Sequence, residues 1–297
     1  MKKWIIKDDD KYFFYKDCYN KFKEWLERYS LLLENTTKEF VTKNFPGVKD
    51  ISFHNKNNGN QIGTICHMHF EDGSFKKLYV KTHQFGPTAS MSKSRKSPDV
   101  KELLVYKILE NIGLGPKSYF FWPENVSVKT LFIATEGLDL TFYNPNHPTV
   151  PTEEEKLELL KLDFISRILY IVDSTTNSGN YGYCKQENKA YIIDFGTEEE
   201  DYYSSELLDD FYKGNGRYNY KGVMKQVVSV SKVTKDNLAK SIIADLGLER
   251  NIIKSKDFIL HLISNSGPVR INSKKLLEKY TLGVIETVKF IKGSLQI

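Results

Sequence analysis

At 297 residues, with 40% hydrophobic and 27% charged residues, the chain has ordinary globular composition and is neither wholly disordered nor fibrous; its length is that at which one hydrophobic core gives way to two, so two lobes around a cleft are expected. The net charge is +5, but Lys and Arg are spread along the chain among acidic residues, which argues against nucleic-acid binding while still suiting a polyphosphate ligand. Cys18, Cys66 and Cys184 are odd in number and far apart, so neither a disulfide framework nor a zinc site is implied; with no apolar leader and no membrane-length apolar run, a soluble, cytoplasmic protein is expected.

From Asp17 to Leu33 the apolar residues Cys18, Tyr19, Phe22, Trp25, Leu26, Tyr29, Leu32 and Leu33 recur at a spacing of three to four, which predicts an amphipathic helix. Pro46-Gly47 ends it. The period then changes: Ile51–His54, Thr64–Phe70 and Phe75–Val80 read as strands, separated by the turn-forming runs Asn57–Asn60 and Glu71–Ser74. An antiparallel meander follows from that pattern.

A polar segment, Gly86–Ser97, leads to a second helix, with Ser97 expected as N-cap, Pro98 at the first helical position, and Val100, Leu103, Leu104, Ile108 and Ile112 as its buried stripe. Gly113 and Gly115-Pro116 stop it, and two more strands are expected at Ser118–Trp122 and Val126–Thr135. Asn144–Pro148 reads as a connector. Thr152 and Glu155 form a capping-box signature opening a helix to about Val172, with Leu157, Leu160, Phe164, Ile168 and Ile171 on one side. A short strand is expected at Tyr191–Ile193, and the remainder reads as mostly helical, with Thr234, Ser255 and Ser273 as N-caps.

Three places carry chemistry-bearing residues in a suggestive order. Lys81 closes the third strand, where a sheet would hold the stem while the ammonium reaches a ligand, and Glu102 in the next helix is placed to pair with it. The loop from Asp173 to Gly182 crowds Asp173, Asn177 and Asn180 behind a buried helix. Asp194-Phe195-Gly196 follows the apolar pair Ile192-Ile193, so a carboxylate leaves a buried strand into a glycine-relaxed turn. The separation between Asn180 and Asp194 allows a hairpin that returns both oxygens to one metal. Phosphoryl transfer needs this set: a cation for phosphates, oxygen ligands for magnesium and a carboxylate beside the attacking hydroxyl.

In this order of residues, over roughly 50–200, the chain resembles the protein-kinase-like superfamily, and its atypical members (aminoglycoside phosphotransferases, HipA-type kinases, phosphoinositide kinases) more than ordinary protein kinases. The resemblance implies an α+β, bilobal protein-kinase-like fold: a helical extension over 1–45, a small antiparallel-sheet N-lobe with one inserted helix over 46–140, and a mainly helical C-lobe over 141–297. It implies ATP and Mg2+ as cofactors. Lys81 looks like the strand-three lysine, Glu102 like its helix partner and Asp173 like the catalytic-loop aspartate. Asn180 resembles the metal asparagine, with Asn177 as its rival, and Asp194 the metal aspartate of the DFG turn. Phe132–Leu138 is similar to the adenine-contacting strand and hinge, which nominates Glu136 and Leu138, while Asn57–Gly63 stands where a phosphate-covering loop is found and nominates Gly59 and Gly63.

The chain departs from that pattern in reading Ile171-Val172-Asp173, in a longer Asp173-to-Asn180 spacing than ordinary protein kinases have, and in an acidic run, Glu198–Asp201, with no Ala-Pro-Glu element. The implied activity is phosphotransfer to a hydroxyl of a protein or small-molecule acceptor. A pseudokinase that keeps the fold as a nucleotide-binding regulatory module is the alternative, and transfer of the nucleotide itself is a third. His67 and His69 read as the solvated face of the meander, Ser92–Ser97 as a solvated basic loop, and Asp163 with Arg167 as an ordinary i, i+4 pair.

Overall fold

The computed structural model describes residues 9–56, 61–86, 97–124, 130–143, 150–197, 206–214, 220, 222–265 and 272–297, the side chains of 9–19 and 272 excepted. Gly59, the strand expected over 126–129, the basic segment 92–96, the connector at 144–148 and the acidic run 198–201 lie outside the described residues. The chain divides into two compact units, residues 1–98 with 120–134 and residues 99–119 with 135–297.

In the first unit, helix α1 (Asp9–Asn44) extends the expected helix in both directions. Its apolar stripe does not stop at Leu33, because Thr36 and Thr37 satisfy their hydroxyls on the carbonyls of Leu32 and Leu33 and so bury beside Val41. Phe40 stacks on Phe121 with centroids 4.3 Å apart, and Tyr29 meets Phe132 edge-on. Strands β1 (Val48–Asn55), β2 (Gly63–Phe70) and β3 (Phe75–Thr82) form the expected antiparallel meander. With β4 (Ser118–Phe121) and β5 (Phe132–Glu136) they complete a five-stranded sheet in the order β1-β2-β3-β5-β4. Alternation explains its faces: Cys66, Met68, Leu78 and Val80 are fully buried, whereas His67 and His69 share the outer face with Phe75.

In the second unit, helix α2 (Val100–Asn111) starts two residues later than the Ser97/Pro98 signature suggests. Asp99 is the N-cap; its carboxylate accepts from the Lys101 backbone N–H at 2.9 Å, using one of the orphan donors of the first turn. Every residue from Val100 to Leu109 is buried, so the stripe expected on one face is a helix enclosed on all sides. It packs against α7 (Leu248–Asn265) and α8 (Asn272–Leu295), which groups it with the helical part of the chain.

Helix α3 (Glu153–Ile168) begins with the predicted capping box, the Thr152 hydroxyl accepting from the Glu155 N–H and the Glu155 carboxylate from the Thr152 N–H. It ends at Ile168 rather than near Val172: Tyr170 takes a left-handed conformation (φ 48°), and Ile171-Val172 become strand β6, paired with β9 (Gly196–Thr197). Leu157, expected on the buried side, is exposed. Strands β7 (Tyr181–Cys184) and β8 (Lys189–Ile192) form the hairpin anticipated between Asn180 and Asp194.

Helices α4 (Leu207–Lys213), α5 (Val223–Val227) and α6 (Lys232–Asp245) follow, and α6 is capped by Ser231 rather than Thr234, whose N–H is the donor. Ser255 lies inside α7, with its hydroxyl on the Asn251 carbonyl, and Ser273 lies within α8. No described helix is long and apolar enough to cross a membrane.

Candidate functional site

Lys81 lies at the end of β3, 8% exposed, and its register partner is Gly63. A Cβ on Gly63 would stand 2.5 Å from the Val80 carbonyl oxygen, so only glycine lets β2 approach the strand that carries Lys81 so closely. The Thr82 N–H donates to the Ile62 carbonyl at 3.0 Å and extends that grip past the strand end. His83 follows, fully buried. Burial, and then the charge of Lys81, pull its pKa down to about 4.

In the second unit, the loop after β6 begins with Asp173, which is exposed and has φ 62°. That conformation costs a non-glycine residue free energy and is often stored where a side chain must be aimed. The Asn180 side chain, 8% exposed, donates to the Asp173 carbonyl oxygen at 2.6 Å and to its carboxylate at 3.3 Å. Both partners are acceptors, which fixes the amide nitrogen on that side and turns its oxygen away. The Asn180 backbone carbonyl in turn accepts from the N–H groups of Ile193 at 2.8 Å and Asp194 at 3.3 Å. One residue therefore joins Asp173 and Asp194, the loop and the strand end.

Asn177, the rival of Asn180, spends its side-chain oxygen on the Gly179 N–H at 3.1 Å and closes a local turn. The Asp194 carboxylate accepts from the Phe195 N–H at 3.0 Å. Phe195 is buried with its ring 4.5 Å from that of Tyr106 on α2, and Glu102 on the same helix is fully buried. At the other nominated positions, the Glu136 N–H donates to the Lys117 carbonyl at 2.9 Å, its carboxylate accepts from the Tyr119 hydroxyl at 2.5 Å, and Leu138 is half-buried. Among the described residues no group of three or more His, Cys, Asp or Glu is poised around a metal position.

Sequence reasoning missed what supports this loop. Asp163 and Arg167 are an i, i+4 pair, but a buried one, 1% and 5% exposed. Arg167 donates to Asp163 at 3.0 Å and to the Tyr220 hydroxyl at 2.6 Å; Tyr220 donates to Asp163, and Thr175 reaches the same carboxylate at 3.5 Å. The hydroxyls of Ser166 and Ser174 add a second tie at 2.8 Å. The helix α3 thus holds the start of the Asp173–Asn180 loop from beneath. Burial opposes the charge on Arg167, yet the neighbouring Asp163 and Tyr220 outweigh it and hold the guanidinium above its ordinary pKa. A run of Ser and Thr directly after a buried helix was the available signal.

No family model matches this sequence, and no curated protein does. Among solved structures the chain is similar to a MAP kinase from Leishmania major, at 12% identity over 88% of this chain and 86% of that chain, with a TM-score of 0.33.

Proposed function

We propose that the chain is an ATP- and magnesium-dependent phosphotransferase of the protein-kinase-like class, atypical branch, acting on a hydroxyl of a protein or small-molecule acceptor. The observation that carries this is the junction at Asn180, whose amide donates to Asp173 and whose carbonyl accepts from Asp194. Two oxygen donors of the kind magnesium prefers, Asn180 and Asp194, are tied to a conformationally strained carboxylate, Asp173.

Magnesium, when bound, would neutralise charge on the phosphate oxygens. In this reading Lys81 would contribute a further cation to the phosphates from a strand that Gly63 keeps close, and Glu136 and Leu138 would serve the adenine. Asp173 accepts the proton of the acceptor hydroxyl as its oxygen bonds to the γ-phosphorus and the bond to the ADP oxygen breaks. A specific observation favours the pseudokinase alternative: one oxygen of Asp194 accepts from Phe195, as in a turn that caps itself.

Incubation with radiolabelled ATP and magnesium separates the two. The expected result is autophosphorylation or ATP turnover that falls by about 100-fold or more in Asp194→Ala. Nucleotide binding with no turnover would assign the chain to the regulatory module, and neither binding nor turnover would end both readings.

A further inference from the structure

The Asp194 turn and the start of α2 share one carboxylate. One oxygen of Asp99 accepts from the Lys101 N–H at 2.9 Å and so caps α2; the other accepts from the Thr197 hydroxyl at 2.8 Å. Asp99 is 7% and Thr197 9% exposed, so this charge-assisted bond is sheltered from water. Thr197 also pairs through its backbone with Ile171, two residues before Asp173. Three segments that carry nominated residues therefore meet at one threonine: the strand before Asp173, the turn after Asp194 and the first turn of α2, which bears Glu102.

We propose that Thr197 and Asp99 form a positioning latch that locks the Asp194 turn to the N-terminus of α2, so that the two move as one. Both are positioning residues. The consequence for magnesium rests on the phosphotransferase reading; the mechanical coupling does not. The Tyr106–Phe195 ring contact fixes the same two segments from the apolar side, but rings slide, whereas a hydroxyl-to-carboxylate bond sets register.

The test is hydrogen exchange of the ligand-free full chain, comparing Thr197→Val, Thr197→Ser and Asp99→Ser. Valine keeps the shape and removes the donor; serine at 197 keeps the donor. Serine at 99 still caps the helix but is too short to bridge. The latch predicts that Thr197→Val and Asp99→Ser each speed exchange about tenfold, in peptides covering 194–197 and 100–104 together, while Thr197→Ser stays near wild type. Acceleration at one segment alone, or spread equally into α8, would overturn it.

In the same proteins the magnesium concentration that half-saturates a nucleotide-induced Tm shift should rise about tenfold in Thr197→Val and not in Thr197→Ser. A latch supported by exchange, with unchanged magnesium dependence, would overturn its role in positioning Asp194. A wild type with no magnesium response at all would sink the phosphotransferase reading, and exchange alone would then decide the coupling.

Discussion

Replacing Arg167 by Met is expected to destabilise the second unit by about 3–5 kcal/mol, the range for removing one member of a buried ion pair. The cost is that of the charge left behind. Asp163 is 1% exposed, and without the guanidinium its carboxylate keeps, among the described residues, the hydroxyls of Tyr220 and Thr175 as hydrogen-bond donors. Lys235, also 1% exposed, is directed at the carbonyls of Phe211 at 2.8 Å and Tyr212 at 3.0 Å and so cannot substitute without giving those up. Burial, reinforced by Arg167 and partly offset by Asp163, holds the Lys235 pKa below its usual value. Urea unfolding followed by far-UV circular dichroism reads this helical unit. The pair Asp163→Leu with Arg167→Met should cost clearly less than the sum of the single changes, because it removes both desolvated charges together. Additive losses would mean that the two side chains are not energetically coupled.

His83 should make the first unit acid-sensitive in a window that ordinary carboxylates do not explain. Both ring nitrogens are buried and make no hydrogen bond among the described residues, and the folded-state pKa is about 4 against an ordinary 6.5. Between those values the unfolded chain binds a proton that the folded chain refuses, so the stability of the fold rises with pH. Full stability is present above pH 6.5, declines as the solution is acidified, and the loss is complete near pH 4, amounting to about 3 kcal/mol. Trp25 and Trp122 lie in the same unit and report its unfolding by fluorescence. His83→Phe should abolish the slope between pH 6.5 and 5 and gain about 1–3 kcal/mol at neutral pH, since it removes a desolvated polar ring. An unaltered slope in that variant would assign the acid sensitivity elsewhere.

The elements legible in the sequence are those whose chemistry is local. The capping box of Thr152 and Glu155, the turn at Gly73 and the meander's alternation each need partners within a few residues, and each is where the sequence places it. The start of α2 departs from the Ser97/Pro98 signature, and Asp99, its N-cap, takes part of its bonding from Thr197, a residue 98 positions away that no local window contains. Ser255 is not a cap for a related reason: its hydroxyl serves an i−4 carbonyl and receives the Asn111 amide across 144 positions. Ile171 and Val172 continued an apolar period, so the break at Tyr170 left no mark in the pattern. Of the nominated residues, Asp173, Asn180 and Asp194 are joined in the second unit; their spacing suggested a hairpin, but the amide-to-aspartate bond that links them depends on a left-handed Asp173 that spacing does not encode. The burial of Asp163 and Arg167 was invisible because an i, i+4 spacing is the same on a wet face and a dry one.

The proposed function requires that Asn180 and Asp194 hold magnesium with its nucleotide and that Lys81 adds to nucleotide affinity. The most direct measurement is a thermal unfolding titration of the full chain with a non-hydrolysable ATP analogue, with and without magnesium. At a ligand concentration of about 100 times Kd the expected stabilisation is about 2.7 kcal/mol, a Tm rise of several degrees. The magnesium-dependent part of that rise should vanish in Asp194→Asn, and the whole of it should shrink in Lys81→Met. A shift in Asp194→Asn that still depends on magnesium as it does in the wild type, or no shift in the wild type at millimolar nucleotide, would contradict it.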